Sequence, residues 1–245
     1  MRSEREQPVA FVTGAGTRLG HAIAEMLAAR GYRMILHANR SLKEAHSLAV
    51  SIHKAGGDAQ VLKADLANVK QTERLARQAW SAYGRIDVLV NNAAVFWPTP
   101  LEKLNVREFE AFIGPNLRAP YLLAAKIGRK MKRRGSGVVV NLACVSALRA
   151  WKEYLPYSIS KAGVVSLTVG LAKLLAPEVR VNAIAPGPVL PPEKLSTSAR
   201  AALIKRVPLK RLGQAQDIVR AVGYLLDADY TTGQVLCVDG GRSIV

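Results

Sequence analysis

Short apolar segments alternate with longer helix-like segments along the whole chain, and no other feature of the sequence limits the fold as strongly. Seven segments are rich in β-branched residues, and most are continuously apolar, as strands buried on both faces are: Pro8–Thr13, Arg33–Ala38, Ala59–Lys63, Ile86–Asn91, Gly137–Leu142, Val179–Ile184 and Gln234–Val238. The segments between them have helical patterns: Leu19–Arg30, Leu42–Ala55, Val69–Tyr83, Asn105–Arg134, Tyr154–Leu175 and Ala215–Leu226. This alternation predicts an α/β fold, a Rossmann-type doubly wound parallel sheet of about seven strands with helices on both faces.

The 245 residues fit a single domain, 1–245, and no linker or internal repeat divides them. The fourth helical segment contains Gly114-Pro115 and Pro120, so we expect two helices or one broken helix there. The region 187–208 holds several prolines around a short helical piece. A long excursion after the carboxyl end of a strand predicts a loop that covers the substrate.

Positive charge is the one unusual bulk property, because 35 Lys and Arg against 18 Asp and Glu give a net charge of +17. Such a balance is typical of proteins that bind nucleic acid or anionic membranes. The cations are spread along the chain, so we expect a generally basic surface, with neither nucleic acid nor a membrane as partner. One dense run is predicted to end a helix, where cations interact favourably with the helix dipole; a partner-binding patch is the alternative. It comprises Lys126, Arg129, Lys130, Lys132, Arg133 and Arg134.

The two cysteines, Cys144 and Cys237, have neither metal-ligand spacing nor the pattern of a disulfide framework. We therefore expect no metal site and a reducing, cytoplasmic compartment. Residues 1–7 are charged and lack the apolar region of a signal peptide. No stretch approaches the ~18 uninterrupted apolar residues of a membrane-spanning helix.

A glycine-rich turn connects the first strand to the first helix, with the sequence Gly14-Ala15-Gly16-Thr17-Arg18-Leu19-Gly20. Glycines permit a tight bend and a close approach of the backbone, and N–H groups at the helix start can face an anion. The first strand–turn–helix unit of an alternating chain is where a dinucleotide-binding turn is expected. We therefore predict that this turn binds the phosphates of a dinucleotide.

The end of the second strand predicts which dinucleotide binds. Proteins that bind NAD usually place an Asp or Glu about 20 residues beyond the glycine turn, where it binds the ribose 2′-hydroxyl. This chain has Asn39, Arg40 and Ser41 there instead. A guanidinium and a hydroxyl suit a 2′-phosphate, so the expected cofactor is NADPH. The positive charge of Arg18 would lie beside the pyrophosphate or the substrate.

Tyr157 and Lys161 lie four positions apart in a predicted helix, which puts them on one face. A free tyrosine has a pKa of about 10 and is a poor acid–base catalyst near neutrality. A neighbouring ammonium favours the phenolate and lowers that pKa. We therefore expect Lys161 to lower the pKa of Tyr157, which would make the phenol usable in acid–base catalysis.

Together these pieces resemble the short-chain dehydrogenase/reductase superfamily over nearly the whole chain. The matching elements are Thr13-Gly14 to Gly20, Asp65-Leu66, Asn91-Asn92-Ala93-Ala94, Asn116, Asn141, Tyr157 with Lys161, Pro186-Gly187 and Val238-Asp239-Gly240-Gly241. The resemblance implies that Asp65 and Leu66 flank the adenine and that Asn92 and Ala93 line the cofactor cleft. It implies that Asn116 holds a water linking Lys161 to a proton relay. It also implies that Tyr157 is the proton donor and that Lys161 binds the nicotinamide ribose. Contacts to the carboxamide would come from Pro186, Gly187 and Val189.

A narrower resemblance points to the pteridine reductase branch, through Arg18-Leu19-Gly20, Asn39-Arg40-Ser41 and the stretch from Asn92 to Pro100. In that branch an aromatic residue at the position of Phe96 sandwiches a flat pterin ring against the nicotinamide. The arginine at the position of Arg18 contacts substrate and cofactor phosphate. The alternative is that Phe96 and Trp97 are simply apolar residues lining the cleft.

Two positions depart from the superfamily pattern. Cys144, 13 positions before Tyr157, stands where the superfamily usually has Ser and pteridine reductases have Asp. A thiol is a weaker hydrogen-bond donor than a hydroxyl. Three interpretations follow: Cys144 still orients the substrate, Ser146 partly substitutes for it, or catalysis is weak. A buried thiol is expected there in preference to a redox sensor. Ala94, where Gly is commoner, is the milder departure.

The expected function is NADPH-dependent reduction of a pterin or dihydrofolate-like ring, with Arg18, Phe96, Cys144 and Tyr157 contacting the substrate. One alternative is reduction of a carbonyl such as a 3-oxoacyl thioester, and another is a catalytically weak NADPH-binding protein with a basic partner-binding surface. A basic rim on the cleft would suit either a glutamate-tailed folate or an acidic carrier protein. The predicted rim comprises Arg149, Lys152, Lys194, Arg200, Lys205 and Arg206. The superfamily resemblance also implies a homotetramer built through segments 105–134 and 154–175.

Overall fold

A computed structural model describes residues 7–191 and 195–245 as one α/β unit. Its seven strands are β1 Val9–Thr13, β2 Arg33–Ala38, β3 Ala59–Lys63, β4 Val88–Asn91, β5 Gly137–Leu142, β6 Val179–Pro186 and β7 Val235–Val238. Its eight α-helices are α1 Arg18–Ala29, α2 Leu42–Lys54, α3 Val69–Tyr83, α4 Val106–Ile113, α5 Ala119–Arg134, α6 Leu155–Leu175, α7 Thr197–Lys205 and α8 Ala215–Asp227. The predictions that fall on residues 1–6 and on Lys194 lie outside the described residues.

All seven strands form one parallel sheet in the order β3-β2-β1-β4-β5-β6-β7. The chain starts at β1, builds outward to β3, then returns to the other side of β1 with β4. This reversal makes the β1–β4 boundary the topological switch point, where such sheets bind ligands beyond their carboxyl ends. The predicted fold class is confirmed, and most strand ends agree within two residues.

The sheet is covered on both faces, which explains why its strands are continuously apolar. Helices α1, α2 and α8 pack on one face around residues such as Val12 and Leu36. Helices α3, α5 and α6 pack on the other, around residues such as Phe11 and Leu89. A third, smaller apolar cluster around Phe112 and Val164 lies beneath the end of β5.

The expected break in the fourth helical segment is present, although it does not separate the helices in space. Residues Gly114–Arg118 form a π-helical turn that joins α4 directly to α5. Proline has no N–H group, so Pro115 and Pro120 cannot donate the usual helical hydrogen bonds. The wider π turn accommodates these missing bonds without ending the helix. Asn116 lies inside this turn and is buried.

The dense basic run ends α5 as expected, at Gly135, which has φ +90°. Lys132 Nζ donates to the carbonyl oxygens of Leu174 and Ala176, at 2.9 and 3.0 Å. Arg134 pairs with Asp87 at 2.8 Å. These contacts support the interpretation of the run as a helix end, because they stabilise local structure and leave fewer cations for a partner.

One segment, Lys152–Leu175, is long and apolar enough to cross a membrane by length and composition alone. It includes α6, which packs against β6 and α5 in the interior of the fold. A core helix passes the same test, so the segment is weak evidence for a membrane. Exposed apolar residues on the long helices, such as Tyr121 and Leu174, suit the homotetramer implied by resemblance, which stays a prediction.

Candidate active site

The residues selected from the sequence come together along the carboxyl edge of the sheet, centred on the switch point. The glycine turn follows β1, Asn92 and Ala93 follow β4, and Cys144 follows β5. Tyr157 and Lys161 reach the same edge from the first half of α6. Parallel strands place all their carboxyl ends on one side, so residues distant in sequence meet there without long loops.

The glycine turn is built so that nothing larger than glycine fits at its key positions. A side chain on Gly16 would come within 2.5 Å of Ser41 Oγ, and one on Gly20 would meet the carbonyl oxygen of Gly14. Thr17, the N-cap of α1, makes no side-chain cap hydrogen bond, and the first turn of the helix holds no acidic residue. The first N–H groups of α1 are therefore available to an anion.

Asn92, the residue just after β4, holds the same turn from the neighbouring strand. Asn92 Nδ2 donates to the carbonyl oxygens of Thr13 and Gly14, at 2.8 and 3.2 Å. In return, Thr13 Oγ1 accepts from the backbone N–H groups of Asn92 and Ala93, at 3.0 and 3.1 Å. These bonds fix the two sides of the switch point relative to each other.

The predicted adenosine end is open to solvent. Asn39 and Arg40 are exposed and Ser41, the N-cap of α2, is half-buried. Asp65 Oδ1 accepts from the N–H of Ala67 at 3.0 Å, which orders the loop after β3. Leu66 is buried, and its carbonyl oxygen accepts from Thr72.

Tyr157 and Lys161 are buried one helical turn apart, on the face of α6 that meets the end of β5. Lys161 Nζ donates to the carbonyl oxygen of Leu142 at 2.7 Å and lies 5.8 Å from the centre of the Tyr157 ring. The sulfur of Cys144 lies beside the Tyr157 hydroxyl and interacts with it. That sulfur also accepts from the N–H of Ser146 at 3.5 Å.

The expectation that Lys161 lowers the pKa of Tyr157 is wrong for the protein alone. Burial, and then the Cys144 sulfur beside it, raise the pKa of Tyr157 well above its usual range. Burial also lowers the pKa of Lys161 to about 8. Burial is the larger cause in both cases, because it removes the solvation that stabilises the charged form of each group.

Both polar atoms of the Asn116 side chain make hydrogen bonds that support the cleft wall. Its Oδ1 accepts from the N–H of Val95 at 2.8 Å, and its Nδ2 donates to the Val95 carbonyl oxygen at 3.0 Å and to Ser160 Oγ at 3.2 Å. Because Ser160 is next to Lys161, Asn116 connects the loop after β4 to the helix that carries the predicted catalytic pair. The water implied by resemblance stays a prediction.

An aromatic wall lies beside Tyr157, and Phe96 is its centre. The Phe96 ring stacks on Tyr154, with centroids 4.6 Å apart and planes within 4°. It makes edge-to-face contacts with Tyr157 and Trp151, at centroid distances of 4.8 and 6.3 Å. Trp97 lies on the buried ring of Phe112 at 4.3 Å, and Phe96 itself is 47% exposed.

The opposite wall starts where β6 ends. Gly187 donates to the carbonyl oxygen of Val238 at 3.0 Å, and Val189 forms a bridge with Gly213. The guanidinium of Arg18 donates to the carbonyl oxygen of Leu190, which joins the glycine turn to this wall. Of the predicted basic rim, Arg149, Lys152, Arg200, Lys205 and Arg206 are all exposed.

These features fit a dinucleotide with a 2′-phosphate. The turn presents uncapped helix N–H groups for a pyrophosphate and excludes side chains where the backbone must approach it. Arg40 and Ser41 lie at the end of the neighbouring strand, where the ribose of the adenosine would rest.

Comparison with known proteins identifies the family. The family model described as Enoyl-(Acyl carrier protein) reductase, one of the short-chain dehydrogenase/reductase group, matches residues 14–243. The chain belongs to the short-chain dehydrogenase/reductase family. The 3-oxoacyl-(acyl carrier protein) reductase of Synechocystis sp. is 33% identical over 237 residues, which cover 95% of this chain and 96% of that protein.

Two solved structures share the fold of this family member. The crystal structure of FolM Alternative dihydrofolate reductase 1 from Brucella suis, in complex with NADP, is 33% identical and has a TM-score of 0.91, over 97% of this chain and 96% of the other. A blue fluorescent protein from a metagenomic library, in complex with NADPH, is 31% identical and has a TM-score of 0.90, over 96% and 98% of the two chains.

Sequence reasoning missed four residues of the site: His37, Trp151, Tyr154 and Ser160. Trp151 and Tyr154 could have been selected, because aromatic residues just before a predicted Tyr–Lys helix lie at the mouth of the cleft. Nothing in the sequence marks His37 or Ser160, whose contacts depend on strand register and helix packing.

Proposed function

We propose that this protein uses NADPH to reduce a C=N bond in a flat pterin or dihydrofolate-like ring. The observation that carries the proposal is the position of Phe96, an exposed ring 4.8 Å from the ring of Tyr157. A flat heteroaromatic ring gains offset stacking against such a side chain, which an extended acyl chain does not. The likeness to a FolM dihydrofolate reductase supports the same substrate class.

The aromatic wall predicts which face of Phe96 the substrate uses. Tyr154 covers one face at a centroid distance of 4.6 Å, which leaves no space for a third ring between them. The substrate ring would therefore stack on the opposite face of Phe96, with its reacting bond toward the Tyr157 hydroxyl. Tyr154 would prevent Phe96 from rotating away when the substrate enters.

Each remaining residue has a proposed role in the reduction. NADPH supplies the hydride, and Gly14, Thr17, Arg18, Leu19, Gly20, Asn39, Arg40, Ser41, Asp65, Leu66, Asn92, Ala93, Pro186, Gly187 and Val189 would hold it. Tyr157 gives its proton to the ring nitrogen as the C=N bond becomes C–N. Lys161 would restore that proton through Asn116 and its neighbours, and Cys144 would hold the hydroxyl in position.

A substrate panel tests the proposal directly. NADPH oxidation is followed at one enzyme concentration with dihydrobiopterin, dihydrofolate and an acetoacetyl thioester. We expect turnover with at least one pterin, and Phe96→Ala to reduce kcat/KM for it about tenfold because one stacking partner is lost. Phe96→Tyr is the matched control and should keep the rate. No oxidation with any pterin would refute the proposal.

Replacement of Tyr157 separates chemistry from binding. Tyr157→Phe removes the proposed proton donor and leaves the buried ring, so NADPH should still bind. We expect turnover to fall by at least a hundredfold, as loss of a general acid does. A variant with unchanged turnover would show that the proton comes from another group.

Reduction of a 3-oxoacyl thioester is the second candidate, and the sequence relatives favour it. The Synechocystis reductase of that name matches nearly the full chain. The exposed basic rim would suit an acidic carrier protein. Turnover of the thioester that is insensitive to Phe96→Ala, with no turnover of pterins, would establish this candidate in place of the first.

A further inference from the structure

His37 is a buried histidine that the proposed reaction does not use, yet both of its ring nitrogens have partners. The residue lies on β2 opposite Thr13 in the β1–β2 register and is 2% exposed. Its Nδ1 is 3.2 Å from the backbone N of Gly14, and its Nε2 is 3.0 Å from the carbonyl oxygen of Ala64. The ring therefore spans the ends of three neighbouring strands.

These partners allow only one protonation state of the ring. The N–H of Gly14 can only donate, so Nδ1 must be an unprotonated acceptor. The carbonyl oxygen of Ala64 can only accept, so Nε2 must carry the hydrogen. The neutral ring with its hydrogen on Nε2 satisfies both bonds, whereas the charged ring would direct a second N–H at the N–H of Gly14.

The backbone of His37 strengthens the same connection, because its carbonyl oxygen accepts from the N–H of Ala15 at 2.9 Å. The glycine turn is thus held from β2 by His37 and from β4 by Asn92, whose Nδ2 donates to the Gly14 carbonyl oxygen. Gly14 has φ +66°, and a side chain there would come within 3.0 Å of Ala93. The N–H and the carbonyl oxygen of Gly14 therefore both have a side-chain partner.

We propose that His37 is a positioning residue for the dinucleotide, which holds the phosphate-binding turn in its binding conformation through the neutral Nε2–H tautomer. The proposal rests on dinucleotide binding and not on the identity of the substrate. It explains why a histidine fits at a fully buried strand end next to an anion-binding turn. The ring adds no charge, so the positive potential there comes from Arg18, Arg40 and the N-terminus of α1.

The electrostatic surroundings keep the ring neutral under ordinary conditions. Burial lowers the pKa of His37 more strongly than its bond to Ala64 and the nearby carboxylate of Asp65 raise it. Asp65, at the end of β3, is the charged group among the described residues that acts on the ring. The neutral state that the turn requires is therefore the populated one at neutral pH.

A matched pair of substitutions tests the bond to Gly14. In His37→Asn the side-chain oxygen can occupy the position of Nδ1 and accept from Gly14. In His37→Gln the amide reaches toward Ala64 and leaves the Gly14 N–H without an acceptor. We expect His37→Asn to keep the Kd for NADP within about twofold, and His37→Gln to raise it about threefold to tenfold, as loss of one hydrogen bond does.

Calorimetric titration with both NADP and NAD shows where the effect acts. The turn binds the pyrophosphate that both cofactors share, so His37→Gln should weaken both by the same factor. A loss confined to NADP would overturn the proposal, because it would place the effect at the 2′-phosphate. Equal affinities for the Asn and Gln variants would overturn it as well.

The wild-type protein gives a test that does not depend on how the variants fold. In ¹⁵N spectra, Nδ1 of His37 should have the shift of an unprotonated acceptor, and Nε2 that of a protonated nitrogen, from pH 8 down to pH 6.5, where a free histidine is half protonated. Binding of NADP should leave this tautomer unchanged. A ring that titrates near pH 6.5, or that carries its hydrogen on Nδ1, would contradict the proposal whatever the substrate of the enzyme is.

Discussion

Replacement of Lys161 by methionine should make the protein more stable while removing its activity. The ammonium is buried, and burial lowers its pKa from 10.5 to about 8, a difference equivalent to about 3 kcal/mol. Below pH 8 the lysine is charged in the folded and the unfolded protein, so folding must desolvate the charge. Methionine has a similar length and no charge, but it leaves the Leu142 carbonyl oxygen without its donor, which costs about 1 kcal/mol. The net gain expected at pH 7 is about 2 kcal/mol in the free energy of unfolding.

The sign of the pH dependence provides the critical test. The folded-state pKa is below the unfolded one, so wild-type stability rises as the pH increases from about 8 toward 10.5, where only the unfolded state holds the proton. At pH 9.5 the wild type should have recovered about 2 kcal/mol, and the advantage of Lys161→Met should nearly vanish. Urea denaturation of both proteins at pH 7 and 9.5, at one protein concentration, measures this.

Lys43→Met is the matched control, because Lys43 is exposed on α2 and its replacement removes one positive charge without any desolvation. That variant should change stability by less than about 0.5 kcal/mol at either pH. A Lys161→Met protein that is less stable than the wild type at pH 7, or whose advantage is equal at both pH values, would refute the reasoning.

Three further predictions concern the cofactor, the thiol and the core. Arg40→Ala should raise the Kd for NADPH about tenfold and leave that for NADH unchanged in direct titrations, because a charge-assisted bond to the 2′-phosphate is lost; equal losses would place Arg40 elsewhere. Cys144→Ser should keep turnover within about tenfold, since a hydroxyl can also accept from Tyr157 and Ser146. Phe112→Ala should lower the free energy of unfolding by about 3–5 kcal/mol in urea, because its ring is fully buried under Trp97; Phe112→Leu should lose much less.

The sequence predicts the sheet well because buried parallel strands leave a strong local signal. The predicted and observed strand ends differ where pairing with a neighbouring strand determines the end. For example, β6 continues to Pro186 because that residue pairs with Val238 of β7. Likewise, Gly114 and Pro115 predict a break in a helix, but the π turn that keeps α4 and α5 continuous depends on their packing. Local pattern therefore determines which elements form, and tertiary contacts determine how they end.

In the candidate site, too, local pattern predicts some features and tertiary contacts determine the others. The spacing of Tyr157 and Lys161 correctly places the two side chains on one face of α6, since helical geometry alone determines that. The pKa of Tyr157 could not be predicted, because it depends on how deeply tertiary packing buries the phenol and on the Cys144 sulfur beside it. The role of His37 also depends on register, since one residue of slip between β1 and β2 would turn its ring to the other face of the sheet.

The raised pKa of Tyr157 bears on the direction of the reaction that we propose. In the protein alone the phenol holds its proton far above neutrality, so the site starts with the proton that a reduction consumes. An oxidation would need the phenolate at the start, which burial and the Cys144 sulfur both disfavour. Lys161, with a pKa of about 8, is charged at neutral pH. Its ammonium stabilises the site most strongly after Tyr157 has given up its proton, because the phenolate then lies one helical turn away. The contribution of Lys161 is therefore expected in the transition state and in proton return, which is why the cost of burying its charge in the free protein is compatible with catalysis.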